Sequence, residues 1–361
     1  MKNVIYGAGV YGEIFFKKIT SNGIVIDAVI DQYSSKKELC STPIKRLKEV
    51  FLEDTVVYIS ITSPVVEVEV INTLKKAGAQ KIYSFIDTLH AFPELVLQCV
   101  EFTKTWYIKE TEKMINIEKI EQLKLLLKDE KSLKLLENLV DFRKNLSPQS
   151  YPIPDLEAQY FPSDIELFQH IEKIRFVDAG AFIGDTLAES ILEFKKRNKE
   201  IQYIASFEPD NVNIDKLSIE IQKQKLQHPE IDLFIYPCGL WSSNEFLQFS
   251  NNNNSNSSLI NKVGDNLTTI MTVPLDKTLI GSSPNYIKMD IEGAEKEALL
   301  GAQNLIQKTS PVLAISLYHK PQDLWELPLL INEINSNYDM YLRIYGSMGL
   351  EVVLYCVPKN V

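Results

Sequence analysis

The sequence predicts an α/β chain: two parallel-sheet domains joined by a helical linker. Three observations carry this. Strand and helix patterns alternate twice, from Lys2 to about Asp87 and again from about Ile171. Each series opens on an apolar run ending in a glycine loop, VIYGAGVYG at 4–12 and FVDAGAFIGDT at 176–186. Between them, from Pro93 to Asn145, leucines and isoleucines recur at helical spacing. A length of 361 residues exceeds one ordinary core, which agrees with two domains. The expected boundaries are 1–90, 91–165 and 166–361.

The first series reads strand (NVIYGA), helix (Gly12 to Ile19), strand (IVIDAVID), a turn with a short helix (PIKRLKEVF), strand (TVVYISI), helix (Val65 to Ala77) and strand (KIYSFI). Right-handed crossovers between such strands give a small Rossmann-like domain. Gly7, Gly9 and Gly12 stand between its first strand and helix. Asp31 ends the second strand, about where an acid would accept ribose hydroxyls. This pattern fits a nucleotide or sugar nucleotide, and equally a scaffold without a ligand.

In the middle segment, IEKIEQLKLLLKDEKSLKLLENLVDFRKNL has apolar residues on one face and Lys and Glu between them. The simpler reading is a helical spacer packed on a neighbouring domain; a homodimer surface is the other. SPQSYPIPDLEAQYFPSD then suits an extended connection pinned to a surface.

The second series reads IRFVDAGA, helix (Thr186 to Arg197), IQYIASFEP, helix (Asn211 to Gln224), IDLFIYPCGL, IMTVPLDKTL, NYIKMDIEG, helix (Ala294 to Ile306), PVLAISLYH and helix (Trp325 to Ile334). It closes on MYLRIYG and EVVLYCVP, a hairpin-like pair, so a mostly parallel sheet should end in an antiparallel strand. NNNNSNSS at 251–258 is expected to be an exposed loop.

Composition narrows the function. A net charge of −10 without a basic stripe argues against nucleic acid. No apolar run is long enough to span a bilayer, and MKNVIYGAGVYGEIFF reads as a first strand and helix, not a signal peptide. Four scattered cysteines fit a reducing cytoplasm. A small molecule or glycan is the expected partner.

Parallel sheets bind ligands at the carboxyl ends of their strands. In DAGAFIG an acid, Asp178, precedes Gly180 and Gly184. It would repel a phosphate and suits a cation such as the α-amino group of an amino-acid moiety. Glu208, in FEPD, stands where a carboxylate accepts two ribose hydroxyls. Gly239 and Leu240, in CGLW, could lie along an adenine, and Asp185 could reach the ribose or the amino acid. In order, these outline one adenosyl amino acid. Asp290 ends the strand of IKMDIEG, and Glu292 and Gly293 form its turn. His319 arrives on the adjacent strand, a candidate general base facing Asp290. Asp290 and Glu292 could clasp a divalent ion, but no ligand set requires a metal.

From about Ile171 to Pro358 the chain resembles the FkbM family of S-adenosylmethionine-dependent methyltransferases. FVDAGAFIGDT resembles the family's first cofactor loop, FEPD its ribose-binding acid and YIKMDIEGAEKEALLGA its most distinctive signature. A sheet that ends in an antiparallel strand is the class I methyltransferase layout, and the resemblance implies O-methylation of a hydroxyl on a sugar, a polyketide-like molecule or another secondary product; read from the strand ends, His319 is the expected base, Asp290 orients it or binds the hydroxyl, and Glu292 assists. Family members often have Asn where this chain has Phe182. The alternatives are a non-catalytic nucleotide-sugar binding or assembly protein, and an NAD-dependent oxidoreductase working through the first glycine loop.

Overall fold

The computed structural model describes residues 1–103, 105–109, 113–250 and 267–359. The fold is α/β with mainly parallel sheets, in two compact units. The first comprises Met1–Ile115, Lys134–Leu156 and Arg343–Val352; the second comprises Asn116–Leu133, Glu157–Leu342 and Val353–Val361. The helical stretch 91–165 is thus divided between the units.

In the first unit, β1 (Lys2–Tyr6) pairs in parallel with β2 (Ala28–Ile30) and β5 (Thr55–Ile59). β3 (Glu38–Leu39), β4 (Thr42–Lys45) and β6 (Lys81–Tyr83) complete the order β3-β4-β2-β1-β5-β6. The short helix expected in PIKRLKEVF is largely replaced by β4, and only Leu47–Glu49 forms a 3₁₀ turn. Pairing of Ile44 and Lys45 with Val29 and Ile30 satisfies the open edge of β2, and this outweighs a weak local preference.

Helix α1 (Val10–Ser21) buries Gly12, Phe15 and Ile19, the i, i+3, i+7 face of an amphipathic helix. Phe15 stacks on Phe85 at 5.2 Å, inside a core that also holds Leu95, Val96, Cys99, Val100, Trp106, Phe142 and Met348. The segment from Leu95 to Thr103 thus contributes to this core. Trp106 Nε1 donates to the Met348 carbonyl at 2.9 Å, which ties residues 343–352 into this unit.

The second unit carries a seven-stranded sheet. Its strands are β7 (Lys173–Ala179), β8 (Glu200–Phe207), β9 (Asp232–Tyr236), β13 (Tyr286–Met289), β14 (Val312–Ser316), β15 (Tyr338–Ile344) and β16 (Val352–Pro358). Their order is β15-β16-β14-β13-β7-β8-β9. The strands from β14 to β9 run parallel, whereas β16 is antiparallel to β14, as the sequence predicts. The order reverses between β7 and β13, which opens a crevice at their carboxyl ends. A smaller sheet joins β10 (Gly239–Leu240), β12 (Leu267–Val273) and β11 (Glu245–Ser250). The Asn-rich segment 251–258 lies outside the described residues.

Beneath the main sheet Phe161, Phe168, Phe176, Phe194 and Tyr286 pack edge to face or stacked, Phe176 on Tyr286 at 4.9 Å. The helix expected from Ala294 to Ile306 breaks into two, Glu295–Leu300 and Gln303–Thr309. At Gly301, between them, a β-carbon would overlap the Trp241 carbonyl oxygen, so the chain here needs glycine for a close backbone approach.

Candidate active site

The carboxyl ends of β7, β8, β13 and β14 deliver the second unit's candidate residues to one rim. Asp178 is the penultimate residue of β7, Glu208 follows β8, Asp290 follows β13, and His319 lies three residues beyond β14. Gly180 adopts φ +81° and packs its α-carbon against the Asp290 carbonyl, leaving no room for a β-carbon. The sequence reading brings this glycine close to a ligand; the structure shows it already close to the end of β13.

Asp178 is fully buried. Its Oδ1 accepts from Lys288 Nζ at 2.9 Å, and Lys288 also donates to the Gly180 carbonyl at 2.7 Å. Burial pushes the Asp178 carboxyl up, against the pull of Lys288; the ammonium, in turn, is kept charged by Asp178 and Asp290 despite its own burial. Asp178 Oδ2 has no hydrogen-bond partner among the described residues. The charge expected to face a ligand cation is therefore first matched internally, and one oxygen remains.

Glu208 Oε2 accepts from the Phe182 amide at 3.0 Å, and Oε1 accepts from the Asp210 amide at 2.9 Å and from Asn213 at 3.3 Å. Burial raises its carboxyl, and these donors pull it back. A carboxylate has about four lone-pair sites, so capacity for a diol is left. Phe182 itself has φ +48°, a left-handed conformation in which Asn is at home and a bulky side chain is unusual. Gly184, at φ +89°, precedes the helix Asp185–Lys196 and packs on Leu217 and Glu220 of the helix Asn211–Gln227. Asp185 is exposed at the helix start. Gly239 is half-buried, and Leu240 is only 2% exposed, so its side chain presents almost no face to a base.

Asp290 is held by two tyrosines. Tyr160 donates to its Oδ2 at 2.7 Å and Tyr318 to its Oδ1 at 3.1 Å. His319 Nε2 lies 3.3 Å from Asp290 Oδ1 and 3.6 Å from Glu292 Oε2, while Nδ1 lies 3.0 Å from Glu295 Oε1. None of these approaches has hydrogen-bond geometry. Burial alone would lower the imidazole, but the charges of Glu295, Asp290 and Glu292 outweigh it and raise His319 to about 10. The surrounding acids thus favour its charged form. Burial pushes Glu292 up to about 8 against the pull of His319. Asp290 stays below the usual range because His319, Lys288 and the tyrosine hydroxyls offset its burial.

Lys288, Tyr160, Tyr318 and Glu295 complete this site, and sequence reasoning did not place them in it. For Lys288 the signal was there: a lysine inside the apolar strand YIKM has to meet a buried partner. Tyr160 gave no signal, because it enters from a proline-rich connection 130 residues before Asp290.

In the first unit the candidate residues turn inward. Asp31 Oδ2 accepts from the Ala8 amide at 2.8 Å, and Oδ1 accepts from the Tyr33 and Ser34 amides at 2.8 and 2.7 Å. At Gly12 a β-carbon would overlap the Gly7 carbonyl, so that glycine serves the packing of α1 on its own loop; Gly9 precedes the helix with open space around it. Asp31 holds the glycine loop through the Ala8 amide, a structural use of this carboxylate.

This is the strand order and rim of a class I methyltransferase domain. Residues 178–347 match the family model described as Methyltransferase FkbM domain. A crystal structure of methyltransferase FkbM from Methylobacillus flagellatus KT superposes with a TM-score of 0.61 at 23% identity, covering 98% of this chain and 89% of that one. That likeness shows a shared fold. The structure of the citrinin polyketide synthase CMeT domain aligns over 52% of this chain and 47% of that one, at 9% identity and a TM-score of 0.26, too distant to carry an argument. No curated protein matches the chain. Among the described residues, no helix is long and apolar enough to cross a membrane.

Proposed function

We propose that the chain is an S-adenosylmethionine-dependent O-methyltransferase acting on a hydroxyl of a sugar or glycan precursor. The observation that carries this is the single rim on which Glu208, the orphan oxygen of Asp178 and the Asp290 cluster meet, within the region matching the FkbM domain. The residues fit an adenosyl amino acid. Glu208 would hold the ribose hydroxyls, and Asp178 and Asp185 would face the α-amino group. S-adenosylmethionine supplies a methyl group on an electron-poor sulfonium. The chain's own part is to align the acceptor oxygen, exclude water and receive a proton, and alignment can supply roughly 7 to 11 kcal/mol.

In this reading Asp290, fixed by Tyr160 and Tyr318, orients the acceptor hydroxyl. Glu292, at the open side of the cluster, gives the proton a place to go, and a positioned base contributes about 10² to 10⁴ in rate. His319 lies between the two carboxylates and orients them. The glycan acceptor is favoured by a polar rim with many hydrogen-bonding groups.

The test is the melting temperature with S-adenosylhomocysteine, NAD and sugar nucleotides in separate samples. A ligand at about 100 times its Kd adds roughly 2.7 kcal/mol, a rise of about 5 to 11 °C for a domain of this size. A rise with S-adenosylhomocysteine that disappears in Glu208→Ala supports the proposal. A rise with NAD alone moves the activity elsewhere and sinks it.

A further inference from the structure

Three carboxyl groups, Asp290, Glu292 and Glu295, lie 3.0–3.6 Å from the imidazole of His319, and Asp323 is close enough to feel its charge. The nearby ammonium groups are already engaged: Lys288 with Asp178 and the Gly180 carbonyl, Lys320 with the Gly293 carbonyl. Asp323 accepts from the Lys320 amide at 2.8 Å. Buried carboxylates in excess of cations are costly unless something positive joins them.

The geometry indicates what that is. One atom each of Asp290, Glu295 and His319 lie within 4.8 Å of one another. Ligand atoms at about 2.1 Å from a cation and at right angles to one another are separated by about 3 Å. The 3.3 Å from Nε2 to Asp290 and the 3.6 Å from Nε2 to Glu292 are close to such an edge. A second observation is independent of the acids. The His319 side chain is only 4% exposed, yet Nε2 makes no hydrogen bond among the described residues, nor does Glu295 Oε2. Buried polar atoms are rarely left so.

We propose that His319 Nε2, Asp290 and Glu292 bind a divalent cation, with Glu295 orienting the imidazole from its Nδ1 side. Glu295 is suited to that role because it is 1% exposed and its Oε1 is fixed by the Ile291 amide at 2.9 Å. Tyr160 and Tyr318 hold Asp290 in the same manner, the outer support that metal-binding carboxylates and imidazoles usually have. One imidazole with carboxylates, at a rim open to water, suits a cation of the Mn²⁺ or Mg²⁺ type. Its use rests on the methyltransferase reading above: a cation there would hold the acceptor oxygen and make its hydroxyl more acidic.

The experiment treats the full chain with chelator, removes the chelator and titrates Mn²⁺, following the electron paramagnetic resonance signal of the free ion. The expected result is one saturable ion per chain, weakened about 10-fold or more in His319→Ala and Asp290→Asn. Circular dichroism checks that these variants are folded. Glu292→Gln, at the partly exposed rim, provides the same test should the buried variants fail to fold. No saturation up to about 1 mM, the weak end of carboxylate sites, overturns the proposal, as does unchanged binding in the folded variants. Stabilisation by S-adenosylhomocysteine without Mn²⁺ binding removes the cation site alone. Mn²⁺ binding without that stabilisation removes the methyl-donor reading and leaves the cation site.

Discussion

Replacing Lys288 by Met tests the internal charge pair most directly. The ammonium is 2% exposed, 2.9 Å from Asp178 and 2.7 Å from the Gly180 carbonyl, and Asp178 is wholly buried. Methionine fills a similar volume but leaves a carboxylate and a carbonyl unmatched. Removing one partner of a buried pair costs about 3–5 kcal/mol, and an orphaned buried acceptor costs about 1–3 kcal/mol. Because the two penalties share one cavity, the expected loss is about 4–6 kcal/mol, a fall in melting temperature of about 10–20 °C. The assay is urea and thermal unfolding of wild type, Lys288→Met, Asp178→Asn and the double variant. In the double variant the charge is gone from both sides, so it should recover about half of the loss. A cost below about 1 kcal/mol for Lys288→Met, or strictly additive costs in the cycle, would refute the view that this pair is a coupled, internally matched charge.

Two further predictions concern the glycine loops. Gly180→Ala places a β-carbon on the Asp290 carbonyl at a residue with φ +81°, so it should cost about 2–4 kcal/mol; unfolding midpoints measure it, and a near-neutral alanine would show that the loop does not cross the end of β13. Asp31→Asn leaves a single acceptor oxygen for the amides of Ala8, Tyr33 and Ser34 and should cost about 1–2 kcal/mol at neutral pH. Burial would raise the Asp31 carboxyl, but those amides and Arg46 hold it below its ordinary value. The advantage of Asp over Asn is therefore present above about pH 3.9, the unfolded value, and disappears as pH falls through the lower folded value. An Asn variant equally costly at pH 7 and in strong acid would contradict this.

What the sequence by itself determined is what local periodicity and strand ends can encode. Alternation set the fold class and the parallel order, because each strand and helix carries its own apolar pattern. The glycine loops and the strand-ending acids Asp178, Glu208 and Asp290 were legible because a parallel sheet always brings such ends to one rim. The tertiary structure decided what each group does there. Asp178 looked like a free anion until Lys288, 110 residues away, was found against it. Similarly, His319 had the residue type of a base, but the carboxylates that set its proton affinity come from separate stretches of the chain. PIKRLKEVF opens with the strand β4 because β2 had an edge to fill, and part of the expected linker supplied core to the first unit, where Trp106 and Phe142 join Met348. Protonation, partner and edge are properties of distance through space, and periodicity along the chain carries no record of them.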